Sequence, residues 1–425
     1  MTSKAFDFVV FGASGLTGAL VTRYLLSDNA SSMKWALAGR SEEKLRSLLQ
    51  NLQKKLSNVE SKAFDQVNII VADSHDKDSL LKMVKSTKVV LTVVGPYTLY
   101  GTLLLQLCAE NGVHYCDLTG ELVWVKKMME RFSTVAAKTG ARIVPFCGYE
   151  SIPADIATFM IANAIEKKFH SKTSKVSYNI TGLRGMLSGG TCASMFALMD
   201  TSTSEELKRM RNPFMLAGND VMQAKEANGL VKRNQSRLLM SYDKDIESWT
   251  ALSVGGTLDS AVVHLSNYLL NNRYGDRFVF DERFALDGFF FELALTIALY
   301  LLGIMLYFRW TRAILKRFAP APSQEASDTT IQNGFFVASA LGYKEDGQLA
   351  VSASIHGEGD PGYGFTSRVI AECAMLLAQE KWNPDSPAAT KGGFYTPASA
   401  FGSHLSDRLA EKNLISIQLR EHLRF

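Results

Sequence analysis

The chain has 425 residues, and two domains are expected because single hydrophobic cores stop growing at roughly 250–300 residues. Apolar residues make up 47% and charged residues 21% of the chain, which excludes a disordered protein. The net charge of +4 results from 46 basic and 42 acidic residues, so no nucleic-acid partner is expected. The five cysteines are scattered without a CxxC pair, which predicts a reducing compartment and no metal site.

Short, nearly continuous apolar runs recur in the first part of the chain, with helical patterns between them. Such runs are typical of strands that are buried on both faces. Their alternation with helices predicts an α/β fold with a doubly wound parallel sheet. The candidate strands are 6–11, 34–39, 67–73, 88–94, 114–118 and 141–147.

The stretch FGASGLTGAL follows the first candidate strand and precedes a helical pattern. Glycines spaced as GxxGxxG at this turn allow a close approach of pyrophosphate to the amides of the helix N-terminus. A glycine-bearing turn without a ligand is the alternative. We predict a dinucleotide phosphate loop, formed by Gly12, Ser14, Gly15, Leu16, Thr17 and Gly18.

The second candidate strand ends in Ala-Gly-Arg-Ser, where an NAD-selective site usually carries an acidic residue. Arg40, with Ser41 beside it, can pair with a 2′-phosphate, which favours NADP over NAD. A solvated arginine at the start of a helix is the alternative. Asp73 is predicted to reach the adenine edge, or else to cap the helix that begins near Lys77.

The fourth candidate strand leads into VVGPYTLYG. Gly95 and Pro96 are predicted to lie along the nicotinamide half of the cofactor, because ligands of such sheets bind at the carboxyl ends of the strands. Tyr97 and Tyr100 then either face the cleft or pack under it.

No tyrosine is followed by a lysine four residues on, which excludes the Tyr-x-x-x-Lys mechanism of short-chain dehydrogenases. Hydride transfer needs little from the protein beyond placing the nicotinamide against the acceptor and excluding water, so a reductase remains compatible with the sequence. The candidate catalytic proton donors are Tyr97, Tyr100, Asp117, Glu121 and Glu150, with Ser151 and Asp155 nearby. Structural roles, such as a turn or a helix-start charge, are the alternatives.

The second domain contains a predicted loop and helix in SGGTCASMFALM, and a hairpin formed by FFVASALGY and QLAVSASIHG. Residues 200–250 are charged and are predicted to form either a lid or a surface excursion.

FAPAPSQEASDTT, residues 318–330, is predicted to be a linker. GEGDPGYG, residues 357–364, forms a shaped loop before a helix, in which turn formation is the expected role of the acidic residues.

Residues 288–308 form an apolar run of about 21 residues that contains one charged residue, Glu292. Three interpretations remain: insertion into one leaflet of a membrane or droplet, a buried or interface helix, and a single transmembrane span. The carboxylate of Glu292 would be costly in lipid. The basic residues that follow are suited to anionic headgroups, and they are Arg309, Arg312, Lys316 and Arg317.

A series of motifs runs along nearly the whole chain in the order FGASGLTG, WALAGRSEEKL, VVGPYTLYG, GVHYCDLTGE, ARIVPFCGYESIPAD, SGGTCAS, GEGDPGYGFTS and TPASAFG. With these motifs in this order, the chain resembles the saccharopine dehydrogenase-like oxidoreductases, a family that includes lipid-droplet proteins of animals and trans-acting enoyl reductases of bacterial lipid synthesis. At one motif the family often reads CGFDSIPSD, whereas this chain has Tyr149, Glu150 and Ala154 at the differing positions.

The resemblance implies a Rossmann domain, a second α+β domain, and C-terminal helices that return to the first domain. We place these parts at 1–150, 151–362 and 363–425.

The sequence thus predicts an NADP(H)-dependent oxidoreductase that acts on a lipid or other apolar substrate. The protein is expected on the cytosolic face of a lipid droplet or membrane, attached through residues 288–308. A homodimer is expected because such enzymes commonly form dimers. The alternatives are a saccharopine-type amino-acid reductase and a non-catalytic dinucleotide-binding protein of the lipid droplet. An amino-acid site should bring several arginines to the substrate carboxylates, and Arg184 is the obvious one in the central region.

Overall fold

The computed structural model describes residues 4–27, 32–56, 59, 61–185, 188–234, 240–285, 288–320 and 328–422. Most of the linker predicted at 318–330 lies outside these residues. The strands, in chain order, are β1 (Phe6–Phe11), β2 (Trp35–Gly39), β3 (Asn68–Val71), β4 (Thr87–Thr92), β5 (His114–Cys116), β6 (Arg142–Val144), β7 (Thr173–Arg184), β8 (Ser241–Asp243), β9 (Ser248–Leu252), β10 (Val279–Phe284), β11 (Phe335–Lys344), β12 (Leu349–Glu358), β13 (Gly393–Phe394) and β14 (Ile415–Glu421).

The helices connect these strands and cover both sheets. In chain order they are α1 (Leu16–Ser27), α2 (Glu42–Lys55), α3 (Ser61–Asp65), α4 (Lys77–Ser86), α5 (Tyr97–Tyr100), α6 (Thr102–Glu110), α7 (Leu122–Thr139), α8 (Ile152–Phe169), α9 (Gly189–Thr201), α10 (Ser204–Arg209), α11 (Asn219–Ala227), α12 (Leu230–Asn234), α13 (Gly256–Leu269), α14 (Phe289–Tyr307), α15 (Arg309–Phe318), α16 (Asp328–Asn333), α17 (Thr366–Ala378), α18 (Pro397–Phe401) and α19 (Ser403–Glu411).

The first sheet has the strand order β13-β6-β5-β4-β1-β2-β3, and its paired strands are all parallel. This arrangement confirms the doubly wound sheet, in which β1 is an interior strand between β4 and β2. The candidate strand 67–73 differs from the others, because Val71 at its end is 51% exposed. It forms the edge strand β3, so helices do not cover it as completely as they cover β1.

The second sheet is mixed and has the order β14-β12-β11-β7-β10-β9-β8. β7 and β10 are parallel, whereas β11 and β12 form the antiparallel hairpin that the sequence predicted. Helix α8 packs on this sheet against β11 and β12, and α13 packs on α8. The sheet and these helices form the predicted second α+β domain.

The C-terminal part of the chain contacts both sheets. α17 packs against α1 and against β4 and β5 of the first sheet, which is the predicted return to the Rossmann domain. Tyr24 donates a hydrogen bond to Glu372 at 2.6 Å and thereby links α1 to α17. β13 then joins the edge of the first sheet, and β14 pairs with β12 in the second. Both domains are therefore completed by the C-terminal residues.

The apolar segment forms one exposed helix, α14, which is long and apolar enough to cross a membrane by length and composition. The buried-helix interpretation is wrong, since the described side chains of α14 are mostly accessible and Phe290 is 83% exposed. Glu292 and Thr296, one turn apart, are the buried positions, and this stripe faces the protein. The carboxylate of Glu292 therefore does not point toward the surrounding medium.

The topology also argues against a single span with soluble domains on both sides. β10 precedes α14 and β11 follows it, and both strands pair with β7. The chain thus leaves one sheet and returns to that same sheet, so both flanks of α14 lie on one side of any bilayer. α14 and α15 pack on each other, and α14 also contacts β9 and α9 of the second domain.

The basic residues of α15 do not all remain available to headgroups. Arg312 is buried and pairs with Asp200 of α9 at 2.9 Å, and Lys316 pairs with the same carboxylate at 2.6 Å. Arg309 and Arg317 are exposed. Asp200 therefore fixes α15 on α9, and it leaves the other two cations at the surface.

Candidate functional site

A cavity of about 590 Å³ lies between the two domains, and we call it the cofactor cavity. Its first wall is the glycine loop between β1 and α1, continued by the loops that follow β4, β5 and β6. Its second wall comes from α9, from residues 207–211 and from the start of α13. The carboxyl ends of parallel strands thus meet the second domain here, which is where doubly wound folds bind their ligands.

Each glycine of the loop lacks a side chain for a different structural reason. Gly12 has φ +92° and lies against Val94, so a side chain there would be strained. A Cβ on Gly18 would lie 2.3 Å from the carbonyl oxygen of Gly12, which shows that the helix start packs directly on the turn. A Cβ on Gly15 would meet only that same oxygen, at 3.4 Å. The missing side chain of Gly15 therefore keeps the cofactor cavity open for a phosphate group.

Five of the six predicted loop residues line the cofactor cavity, whereas Ser14 does not. The Ser14 hydroxyl lies beside Gly39 at the end of β2, 3.6 Å from the position of a Cβ on that glycine. The five lining residues are Gly12, Gly15, Leu16, Thr17 and Gly18.

Arg40 and Ser41 lie where β2 gives way to α2, outside the lining of the cofactor cavity. Arg40 is exposed, and among the described residues no salt bridge to its guanidinium is found. Ser41 is the N-cap of α2 and accepts a hydrogen bond from the Lys44 amide at 3.2 Å. The pair thus remains a predicted 2′-phosphate site, in which Ser41 also has a structural role.

The structure shows whether Asp73 caps the helix that begins near Lys77. The N-cap of α4 is Asp76, whose side chain accepts from the Asp78 amide, so the predicted cap at Asp73 is wrong. Asp73 instead accepts a hydrogen bond from the amide of His75 at 2.9 Å, in the turn after β3. This hydrogen bond does not test the predicted contact of Asp73 with adenine, which stays a prediction.

Gly95 lines the cofactor cavity and is joined to Pro96 by a cis peptide bond. Tyr97 follows, and its ring lines the floor of the cavity while its hydroxyl donates to the carbonyl of Thr92 at 3.1 Å. Burial, and next the charge of Asp117, raise the pKa of Tyr97 well above its ordinary value. Tyr97 therefore packs under the cleft, with its hydroxyl turned away from a ligand. Tyr100 packs edge-on against His75.

Glu121 is buried and holds the start of α5 in place. Its carboxylate accepts hydrogen bonds from the amides of Tyr97 and Thr98, both at 2.8 Å, and from the hydroxyl of Thr98. A further hydrogen bond comes from the hydroxyl of Ser194 on α9, at 2.7 Å. These four hydrogen bonds tie the carboxylate to α5 and α9, so the geometry favours a positioning role over proton donation.

Asp117 is fully buried below the cofactor cavity and does not line it. Its carboxylate accepts from the hydroxyl of Tyr115 at 2.7 Å and from the amide of Thr119 at 3.0 Å. Burial raises the pKa of Asp117 to about 7, against these hydrogen bonds, which favour the carboxylate. The structure thus places Asp117 in the support of the β5 loop, away from the space for a substrate.

Glu150 lines the cofactor cavity directly before α8. Burial, and next the negative charge of Glu282, raise the pKa of Glu150 to about 7. Among the proposed donors, it combines access to the cavity with a proton held near neutral pH. This combination is what a general acid requires.

Sequence reasoning missed two acidic residues behind Glu150. Asp259 on α13 and Glu282 on β10 are buried beside each other, and burial raises the pKa of both. Ser253 also donates to Glu282. The available signal was an acidic residue within the apolar strand pattern FVFDERF, but pairing it with Asp259 requires the tertiary structure.

The wall from the second domain is largely apolar. Ser188 caps α9, as the predicted loop and helix require, and the Gly189 amide donates to the hydroxyl of Tyr363 at 2.9 Å. Met195 of α9 and Met210 line the cavity opposite the glycine loop, with Arg211 beside them. The charged region 200–250 thus contributes a wall of the site.

Comparison with known proteins agrees with this geometry. Residues 8–144 match the family model described as the saccharopine dehydrogenase NADP binding domain. The lipid droplet localized protein of Caenorhabditis elegans is 30% identical over 433 residues, which cover 95% of this chain and 96% of that protein. A trans-acting enoyl reductase of Mycobacterium ulcerans is 28% identical over 437 residues, which cover 99% of each chain.

A solved structure shows the same fold. The saccharopine dehydrogenase (L-Glu forming) of Saccharomyces cerevisiae superposes with a TM-score of 0.51 at 11% identity, covering 98% of this chain and 99% of that chain. The parallel sheet, the glycine loop and the matched NADP-binding model agree with one another. The chain belongs to the saccharopine dehydrogenase-like family of NADP-dependent oxidoreductases.

Proposed function

We propose that this protein is an NADPH-dependent reductase of a lipid or other apolar substrate, and that it works at the surface of a lipid droplet or membrane. One observation carries the proposal: the cofactor cavity has a glycine loop on one side and the apolar wall with Met195 and Met210 on the other. Because the second wall is mostly apolar, it suits an apolar acceptor for the hydride.

NADPH, when bound, supplies a hydride to one carbon of a polarised double bond. The chain must then deliver a proton to the other atom of that bond, which completes a two-electron reduction. Glu150 is the side chain best placed for this step, because it lines the cavity and its raised pKa keeps it protonated near neutrality. The buried Glu282 supports it, because its negative charge disfavours a second negative charge on Glu150.

The walls of the cavity favour an apolar substrate over an amino acid. A saccharopine-type substrate carries several carboxylates, for which several arginines are expected. Arg211 is the only arginine among the described residues that line the cavity, and Arg184, the arginine predicted for this role, is exposed outside it. This composition supports a lipid or related substrate in place of an amino-acid imine.

The proposed location combines a relative with a surface feature. The relative from Caenorhabditis elegans is named for its localisation to lipid droplets. α14 presents a broad apolar face to the medium, and α15 adds the exposed cations Arg309 and Arg317. A helical pair of this composition suits insertion into one leaflet beside anionic headgroups. We place the rest of the chain on the cytosolic face.

Transfer of label from deuterated cofactor tests this function. The purified protein is incubated with NADPH carrying deuterium at C4 and, in separate samples, with vesicles that contain unsaturated or carbonyl lipids or with an amino-acid imine. The lipids and the amino acid are then analysed by mass spectrometry. Incorporation of one deuterium into a lipid supports the proposal. Tight NADPH binding without incorporation would favour the non-catalytic dinucleotide-binding protein, and incorporation into an amino-acid imine alone would favour the saccharopine-type reductase.

A further inference from the structure

A second cavity, of about 560 Å³, lies between α14 and the body of the second domain, and we call it the lateral cavity. α14 contributes Leu299, Leu302, Gly303 and Leu306 to its lining. The spacing of three and four residues places these positions on one face of the helix. The same stripe, one and two turns earlier, is the part of α14 that packs on the protein through Glu292 and Thr296. The helix therefore packs closely at its start and covers a cavity further on.

The lateral cavity adjoins the cofactor cavity. Both are lined by Met195, Met210, Arg211, Val254 and Thr257, so the two cavities adjoin at these side chains. Methionine side chains are unbranched and adaptable, and they can shift to admit a chain between them.

A third cavity, of about 360 Å³, lies at the end of α14, and we call it the mouth. It shares Leu299 and Gly303 with the lateral cavity and adds Ile304, Tyr307 and Phe308. The last three side chains are exposed large hydrophobic groups. Tyrosine and other aromatic residues at such a rim are suited to the boundary between lipid and water.

The opposite face of α14 is exposed. Ile297 is 52% exposed and Leu301 is 56% exposed, and neither lines the lateral cavity or the mouth. α14 is therefore a wall one helix thick, with an apolar face toward the surroundings and an apolar cavity behind it. A helix with this division separates two apolar spaces, whereas a soluble surface helix has a polar outer face.

We propose that the lateral cavity binds the alkyl chain of the substrate, which enters from the lipid through the mouth and passes Met195 and Met210 to reach the cofactor cavity. The inference rests on the proposed function, and it adds a binding site and a direction of entry. An alkyl chain fits because apolar side chains form the larger part of the lining and its burial needs no directed hydrogen bonds. Arg211, which also lines the mouth, and Lys232 are the two cations of that lining. The reactive double bond then lies beyond the methionines, next to Glu150 and the glycine loop.

Gly303→Trp tests this route. A Cβ on Gly303 meets no atom within 4 Å, and a helix interior tolerates the change because glycine has low helix propensity. The indole would occupy the lateral cavity or the mouth. Leu301→Trp is the matched control, since it adds the same ring to the same helix on the exposed face. Binding of a fluorescent 16-carbon fatty acid and of its six-carbon analogue is measured by titration for the full-length protein and both variants.

We expect Gly303→Trp to weaken binding of the long chain by roughly tenfold for every two methylene groups that the indole excludes, and to weaken the short analogue much less. Leu301→Trp should bind both probes like the unmodified protein. Unchanged affinity of Gly303→Trp for the long chain would overturn the proposal, and so would an equal loss in both variants, which would indicate adsorption to the outer face of α14.

The same proteins separate this inference from the proposed function. Loss of long-chain binding in Gly303→Trp, without deuterium transfer to any lipid by the unmodified protein, would retain the chain site and reject the reductase. Deuterium transfer that proceeds equally in Gly303→Trp and the unmodified protein would retain the reductase and reject the route beneath α14.

Discussion

The hydroxyl of Ser194 on α9 donates a hydrogen bond to the carboxylate of Glu121 at 2.7 Å, and this bond joins the two domains across the cofactor cavity. The same carboxylate accepts from the amides of Tyr97 and Thr98 at the start of α5. One buried side chain therefore fixes both the floor of the site and the position of its opposite wall.

Removal of either partner should destabilise the protein to different extents. Glu121→Ala leaves two buried amides and two hydroxyls without their acceptor, and we expect a loss of about 2–4 kcal/mol in the free energy of unfolding. Ser194→Ala removes one donor from a carboxylate that keeps three others, so about 1 kcal/mol is expected. Urea unfolding of both variants measures the difference. Equal losses would show that the carboxylate does not organise α5.

Arg40 is predicted to select the cofactor through its 2′-phosphate. Arg40→Asp should weaken NADPH binding by roughly 10- to 100-fold, because a charge-assisted hydrogen bond contributes about 1.5–3 kcal/mol, and it should leave NADH binding nearly unchanged. Lys54→Asp makes the same change in charge and serves as the control, because Lys54 lies at the far end of α2, the helix that begins just after Arg40. Fluorescence titration measures both affinities, and unchanged selectivity would refute the assignment.

The proton donor should be visible in the pH dependence of turnover. Because the pKa of Glu150 is raised to about 7, the group is protonated below that pH, and the rate should fall as pH rises through it. Glu150→Gln should lower turnover by roughly 10²- to 10⁴-fold and leave NADPH binding intact.

The control for this experiment is Asp155→Asn. Burial also raises the pKa of Asp155 to about 7, but its carboxylate is bonded to Ser266 and the Ala398 amide, away from the cavity. The fall in rate should persist in that variant. If the fall in rate with rising pH disappeared in Asp155→Asn, or persisted in Glu150→Gln, the proton would have to come from another group.

The exposed face of α14 is expected to hold the protein on lipid. Phe290, Leu293 and Ile297 are exposed there, and their combined replacement by glutamate should shift the protein from the floating lipid fraction to the soluble fraction. The control carries glutamate at Ser47, Gln50 and Asn51, which are exposed on α2 and make the same change in charge. If the α14 variant stays on droplets, another surface must bind lipid.

The fold could be predicted well from local patterns. β1 and β2 are continuous apolar runs because each is covered on both faces, and the glycine loop lies between β1 and α1 as the spacing indicated. β3 departs from this pattern because an edge strand is exposed on one side, which no local signal distinguishes.

The site was less predictable, because its geometry depends on which residues meet across the chain. Glu121 looks like a helix-start acid in the sequence, yet it binds the start of α5, more than twenty residues earlier, and Ser194 far downstream. Asp259 and Glu282 lie on different elements, so their proximity cannot be inferred from spacing. The role of α14 was also ambiguous, since an apolar run does not reveal that β10 and β11 return to one sheet.

The most direct test of the central claim is the titration of the full-length protein with NADPH. Gly15→Trp should abolish binding, because the indole would fill the open side of the loop. A Cβ at this position meets only the carbonyl oxygen of Gly12 within 4 Å. Gln50→Trp, on the exposed face of α2, should bind like the unmodified protein. Tight binding that is lost in Gly15→Trp alone is the result that we predict. Absence of NADPH binding in the unmodified protein, or its survival in Gly15→Trp, would contradict the assignment of this loop and of the reductase built on it.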